Sequence, residues 1–221
     1  MPLRNDLITA RENVRFPRDG AAPGRRRADL TARTRDQSFR TTASRSRGQP
    51  QDNGGDNDGV EEPGIRIRPI GEGDRPMLSW LVAELWGSEA VAVHGTVFQP
   101  AELAGFIAER SGRLIGLLTY HLAGDVLEIV TLNAIERRAG IGTLLIEAAV
   151  DEARRCGGRE IRLTTTNDNI DALRFYQRRG FRLAELRPGA VDQTRQQKPE
   201  IPTVGSYGIP LRDELDLTLP V

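Results

Sequence analysis

Apolar and polar residues alternate from Ile65, where Ile65, Ile67 and Ile70 are separated by Arg66 and Arg68, and this predicts a first strand with one buried face. After Asp74 the period lengthens. Leu78, Leu81, Val82 and Leu85 recur at helical spacing, with Asp74 placed to cap the helix and Pro76 suited to its first turn. Gly87 to Pro100 shows neither period and reads as a loop. Phe106 to Arg110 and Leu114 to His121 are apolar runs joined by Ser111 and Gly112, as in a hairpin, and Gly124 and Asp125 turn the chain into a fourth strand from Val126 to Leu132. Ile141, Leu144, Leu145, Ala148 and Ala149 share one face of a helix from about Gly140 to Cys156, and Arg154 and Arg155 suit its C-terminal dipole. Glu160 to Thr165 is a fifth strand, Ile170 to Arg179 a helix stopped by Gly180, and Phe181 to Leu186 and Leu215 to Leu219 the sixth and seventh strands. The last two are separated by a connection from Arg187 to Asp213 that holds Pro188, Pro199, Pro202 and Pro210. A connection of that length inside a domain is usually functional or disordered.

Residues 1–63 carry no sustained period. They divide into an arginine-rich stretch, with twelve arginines against five acids in residues 1–50, and a glycine-rich stretch with five acids and no base in residues 51–62. Such a segment cannot bury enough apolar surface to offset its ordering entropy, so a disordered tail is expected over 1–63 and one domain over 64–221. The formal net charge of +0 is therefore an average of opposites. Only two aromatic residues, Phe16 and Phe39, lie among the arginines to stack bases, and nucleic acid is not an expected partner. Only Lys198 among the 31 basic residues is lysine, which reads as codon bias. No apolar stretch approaches the length that spans a bilayer, no apolar segment follows the N-terminal charges, and the single cysteine, Cys156, excludes an internal disulfide framework. A cytoplasmic setting without membrane attachment is expected. One cysteine and two histidines offer no metal site.

The chemistry concentrates in the run Arg137, Arg138, Ala139, Gly140, Ile141, Gly142, set between the fourth strand and the helix that follows. The first amides of a helix lack intrahelical partners and sit in the positive end of its dipole, so a phosphate can bind there. Gly140 and Gly142 would let the anion approach the backbone. A dinucleotide fingerprint would need a third glycine at position 145, where Leu145 stands. Downstream lie Asn169, Ala172, Tyr176, Gly180 and Phe181. The run Arg-x-x-Gly-x-Gly followed by Asn-x-x-Ala-x-x-x-Tyr and then Gly-Phe resembles the GNAT superfamily of N-acetyltransferases, in family order and spacing, over roughly Ile65 to Leu186.

That resemblance implies an α/β (α+β) fold with a central mixed, mostly antiparallel seven-stranded sheet, flanking helices, and acetyl-coenzyme A as co-substrate. The backbone from Arg138 to Thr143, with Arg137 and Ala139 in the same run, is expected to hold the pyrophosphate, and Val130, Thr131 and Leu132 to pair with the pantetheine amides as an added strand does. Tyr176 is the expected general acid that reprotonates the thiolate, and Phe175 the neighbouring core aromatic. Asn169 can cap the following helix or bond the cofactor, with Asp168 and Asn167 as alternative caps. Glu128 is the expected base, with His94 and His121 as competitors, since Thr164 stands where some relatives carry a glutamate. Trp80 and Trp86 are candidates to line the acceptor pocket, one of them being core packing. The acceptor is expected to be a small-molecule or peptide amine, the late connection to border it, and a homodimer is compatible with the fold. A non-catalytic acyl-coenzyme A-binding or protein-interaction module of the same fold is the alternative reading.

Overall fold

In the computed structural model, residues 64–136, 139–199 and 201–221 are described. The tail expected over 1–63, and Arg137 and Arg138 of the glycine run, lie outside the described residues. In chain order the elements are β1 (Arg66–Pro69), α1 (Arg75–Trp86), β2 (Val91–Val93), β3 (Thr96–Phe98), β4 (Ala104–Arg110), β5 (Arg113–Ala123) and β6 (Val126–Ala134), then α2 (Ile141–Arg155), β7 (Glu160–Thr166), α3 (Ile170–Gln177), β8 (Arg182–Arg187), α4 (Ala190–Gln197) and β9 (Glu214–Pro220).

The seven strands anticipated from the sequence form one sheet in the order β1-β4-β5-β6-β7-β9-β8, antiparallel at every step except β6–β7. At β5 both faces are covered. Leu114 and Leu117 face a core built with Leu78, Leu81 and Val82 of α1, whereas Ile115, Leu118 and Tyr120 face a second core with Ile141, Leu145 and Ala149 of α2 and Ala172 and Tyr176 of α3. Burial on two sides is why β5 reads as a continuous apolar run rather than an alternating one.

Several local expectations are corrected. Asp74 precedes α1 but does not cap it with its side chain, because its carboxylate accepts from both terminal nitrogens of Arg68, at 2.7 and 2.8 Å, and from the Gly71 amide at 2.7 Å. The expected loop from Gly87 to Pro100 contains the β2–β3 hairpin. The buried face of α2 runs through Ile141, Leu145, Ile146, Ala149 and Ala153, one step round from the predicted stripe, with Leu144 and Ala148 only half-buried. The connection before β9 carries α4. Among the described residues, no helix is long and apolar enough to cross a membrane, and no cluster of three or more metal-ligating side chains occurs.

Candidate active site

Parallel strands β6 and β7 share only the pairs from Val126–Glu160 to Ile129–Leu163, and beyond them β6 runs on to Ala134 and β7 to Thr166 without pairing to each other. A bulge starts the divergence. Across β5, Tyr120 opposes Ile129 and Thr119 opposes Thr131, so Val130 has no counterpart, and an extra residue of this kind bends the strand that carries it. Val130, Thr131 and Leu132 therefore lie on the stretch of β6 that has left β7. The backbone groups they turn toward β7 meet no strand there, while the Thr131 hydroxyl is engaged with that of Thr119 at 2.8 Å.

The N-cap of α2 is Gly140 with φ 75°, a left-handed conformation that glycine adopts without strain. Ile141 and Gly142 open the helix, so their amides have no intrahelical acceptor. The Thr143 amide already donates to the Gly140 carbonyl at 2.9 Å, and the Thr143 hydroxyl accepts from the Arg179 guanidinium. Gly142 also answers to a packing demand, since a Cβ there would lie 2.8 Å from Cζ of Phe175. Phe175 is half-buried under Arg179, whose guanidinium carbon is 3.6 Å from the ring centroid.

Three consecutive residues between β7 and α3 use their side chains differently. Asn169 caps α3, its Oδ1 accepting from the Ala172 amide at 3.2 Å, while its Nδ2 is buried with no hydrogen-bond partner. Asp168 and Asn167, expected as alternative caps, instead fix the late connection. The Asp168 carboxylate accepts from the Ser206 amide at 2.8 Å, and Asn167 Oδ1 accepts from the amides of Arg212 and Asp213, both at 3.0 Å. A second orphan lies close by in sequence, because Thr165 Oγ1, on the part of β7 that has left β6 but still pairs with β9, is also buried without a partner.

Tyr176 is 1% exposed, deeper than Phe175, which reverses the burial expected of the pair. Its ring meets Phe175 and Phe181 edge-on at 5.2 and 5.4 Å between centroids, and burial pushes the phenol well above its ordinary range. It is therefore protonated at any physiological pH.

A cavity of about 150 Å³ opens beside the diverging ends of β6 and β7, lined by Val130 of β6, Thr164, Thr165 and Thr166 of β7, Glu214 of β9, Trp86 at the end of α1, Val91 to Val93, and Val191, Thr194 and Lys198 from α4 and its end. Trp86 takes the pocket position and donates to Asn133 Oδ1 at 3.3 Å, whereas Trp80 packs against the α1 core. Glu214 was not anticipated. Burial raises its carboxyl above the ordinary range, against the attraction of His94 and Arg187 and with the repulsion of Asp216. Beside it, Asp216 gathers Thr164 Oγ1 at 2.8 Å, His94 Nε2 at 2.8 Å and Arg187 Nε at 3.0 Å. Burial alone would raise Asp216, but the Arg187, Thr164 and His94 bonds outweigh it and hold the carboxylate below its usual range. Glu128 stands in the paired half of β6, opposite Arg162 and His121, and does not line the cavity. His121 packs against Phe98, with 5.4 Å between ring centroids.

The acetyltransferase (GNAT) family model matches residues 74–181. The uncharacterized protein YdhI of Bacillus subtilis strain 168 is 40% identical over 150 residues, covering 67% of this chain and 94% of its own. Among solved structures, an IAA acetyltransferase from Bacillus cereus superimposes with a TM-score of 0.56 at 21% identity over 72% of this chain and 100% of that one. A GNAT family acetyltransferase from Elizabethkingia anophelis with acetyl-CoA bound superimposes at 0.55 and 20% identity, over 71% and 98%.

Proposed function

Because the chain belongs to the GNAT acetyltransferase family, we propose that it moves an acetyl group from acetyl-coenzyme A to a primary amine by direct attack within a ternary complex. One observation supports the reading: among the described residues two buried side-chain polar atoms lack a hydrogen-bond partner, Thr165 Oγ1 on the end of β7 that has left β6 and Asn169 Nδ2 just after that strand. Native proteins rarely leave buried polar groups unmet unless a ligand or water completes them. A pantetheine arm, with two amides in an extended chain, matches both the orphans and the free edge of Val130 to Leu132.

In this reading the backbone from Gly140 to Gly142 receives the pyrophosphate, with Ala139 and Thr143 on either side and Arg137 and Arg138 supplying positive charge in the same run. The neutral amine nitrogen attacks the thioester carbonyl, the carbon–sulfur bond breaks, and Tyr176 supplies a proton to the departing thiolate. The proton shed by the amine goes to a carboxylate. Glu214 fits that role better than Glu128, because it lines the cavity and its raised carboxyl lies nearer the proton affinity that general base work at neutral pH favours. The products are an N-acetyl amine and coenzyme A.

The test is a titration of the full chain with acetyl-coenzyme A by calorimetry, paired with thiol release across a panel of primary amines. Saturable binding and amine-dependent release are expected. Binding without release from any amine would instead fit the non-catalytic module, and no binding would remove the whole reading.

A further inference from the structure

We propose that the acceptor is a small primary amine that also bears an anionic group, with Glu214 receiving its nitrogen and Lys198 its anion. This rests on the transfer reading above and names the substrate class of that same cavity. Among the described residues that line it, two are charged, and they are opposite in sign: Glu214 from β9 and Lys198 from the end of α4. The remainder of the lining is apolar or hydroxylic.

The state of the neighbouring cations singles out Lys198. Arg195, three residues earlier on α4, is fully engaged, donating to the carbonyls of Ile201, Pro202 and Leu211 at 2.7 to 3.0 Å and to Asp192. Arg187 is taken up by Asp216 and Glu185, each at 2.9 Å. Lys198, half-buried, makes no ion pair with a described carboxylate and reaches only the Ala90 carbonyl, at 3.4 Å. An ammonium with three donors and one long neutral bond is incompletely satisfied in a lined cavity, and a bound anion would complete it. An amine that filled the cavity without bringing an anion would strip water from Lys198 and give nothing in return.

Size points the same way. The cavity measures about 150 Å³. That is below the ~300 Å³ where drug-sized sites begin. A short amphoteric molecule, such as an amino acid or an aminophosphonate, places its two charges within such a space. The preference for arginine elsewhere is no obstacle, since lysine offers a compact point charge rather than a planar fork.

The test compares isosteric acceptor pairs on the full chain: β-alanine against 3-methylbutylamine, and 2-aminoethylphosphonate against 3,3-dimethylbutylamine. The expected result is a kcat/KM at least tenfold higher for the anionic member of each pair. Lys198→Gln should raise KM for the anionic member at least tenfold more than for its isostere, and Lys198→Arg should recover most of the preference. Equal use of both members, or a Lys198→Gln effect of the same size on both, overturns the proposal. If coenzyme A binds but no amine releases it, the transfer reading fails, and calorimetry of β-alanine into the protein saturated with coenzyme A decides the acceptor class independently. Heat that depends on Lys198 supports it; the same heat, or none, in both proteins overturns it.

Discussion

Asn169 spends its side-chain oxygen on the Ala172 amide at 3.2 Å and holds its amide nitrogen buried and unpartnered, so the helix cap and the proposed cofactor contact fall on different atoms of one side chain. Asn169→Asp keeps an acceptor for the cap and removes the donor. It should melt within a few degrees of the wild type while losing at least tenfold in coenzyme A affinity, a change of about 1.4 kcal/mol. Asn169→Ala should lose the affinity and also about 1 kcal/mol of stability, the usual value of a cap. Calorimetric titration and thermal melts on the two variants check this, and an Asn169→Asp protein that binds coenzyme A normally would leave the orphan nitrogen without a role.

Tyr176 couples core packing to the proposed proton transfer. Its ring sits between Phe175 and Phe181 and its phenol is held protonated by burial. Tyr176→Phe keeps that packing and removes the proton. Turnover should fall by ~100-fold or more, the lower end of what a positioned acid supplies, with little change in coenzyme A affinity. Steady-state rates beside a binding isotherm separate the two quantities, and undiminished turnover would dismiss the phenol from the chemistry.

Most sheet strands could be read in the sequence because they carry their own alternation or a doubly buried run, and those signals need no tertiary context; β8 is the exception, exposed along most of its length. The β2–β3 hairpin could not be read, since Val91–Val93 and Thr96–Phe98 are too short to establish a period. The α4 helix was hidden by its composition: Val191 is buried, but the rest of the helix is mostly polar and shows no apolar stripe. The glycine run and the Asn169 to Phe181 motif were visible as spacing, yet the packing demand on Gly142 was not, because Phe175 lies 33 positions away and meets it only when α3 docks on α2. The cavity was least legible. Glu214 reaches it because β9 returns antiparallel beside β7, setting Glu214 opposite Thr166, and nothing local to Glu214 announces that neighbour.

Glu214 should trade stability for activity. Burial raises its folded-state carboxyl above the value in the unfolded chain, so the folded protein holds that proton more tightly. Its favourable contribution is then complete below the unfolded value and is lost as pH rises through the folded one. Glu214→Gln should therefore melt higher than the wild type near pH 7, with the gap closing toward about pH 4, where the ordinary carboxylate is itself half protonated. The same substitution should lower turnover. Glu128→Gln, assayed alongside, decides between the two carboxylates, and a larger loss from Glu128→Gln would hand the base to Glu128.

Glu152 predicts the opposite sign at the far end of α2. Its carboxylate accepts from Arg155 at 2.6 and 2.8 Å and from the Tyr120 hydroxyl at 2.9 Å, which ties the last turns of the helix to β5. The Arg155 bonds are the largest cause and burial opposes them, with Tyr120 and Cys156 adding to the downward pull, and the carboxyl is pushed down to about 2 from an ordinary 4.5. A depressed carboxyl stabilises the fold above its unfolded value, and that contribution drains away as pH falls through the folded one. Wild type should therefore melt above Glu152→Gln at neutral pH, and the difference should shrink between pH 4.5 and about 2. Because the Arg155 side chain is 71% exposed, its share should weaken in high salt, whereas the bond from buried Tyr120 should persist. Thermal melts of wild type, Glu152→Gln and Tyr120→Phe across pH and salt separate the two shares. A gap that holds constant down to pH 2 would mean that the Glu152 charge contributes nothing to the attachment of α2.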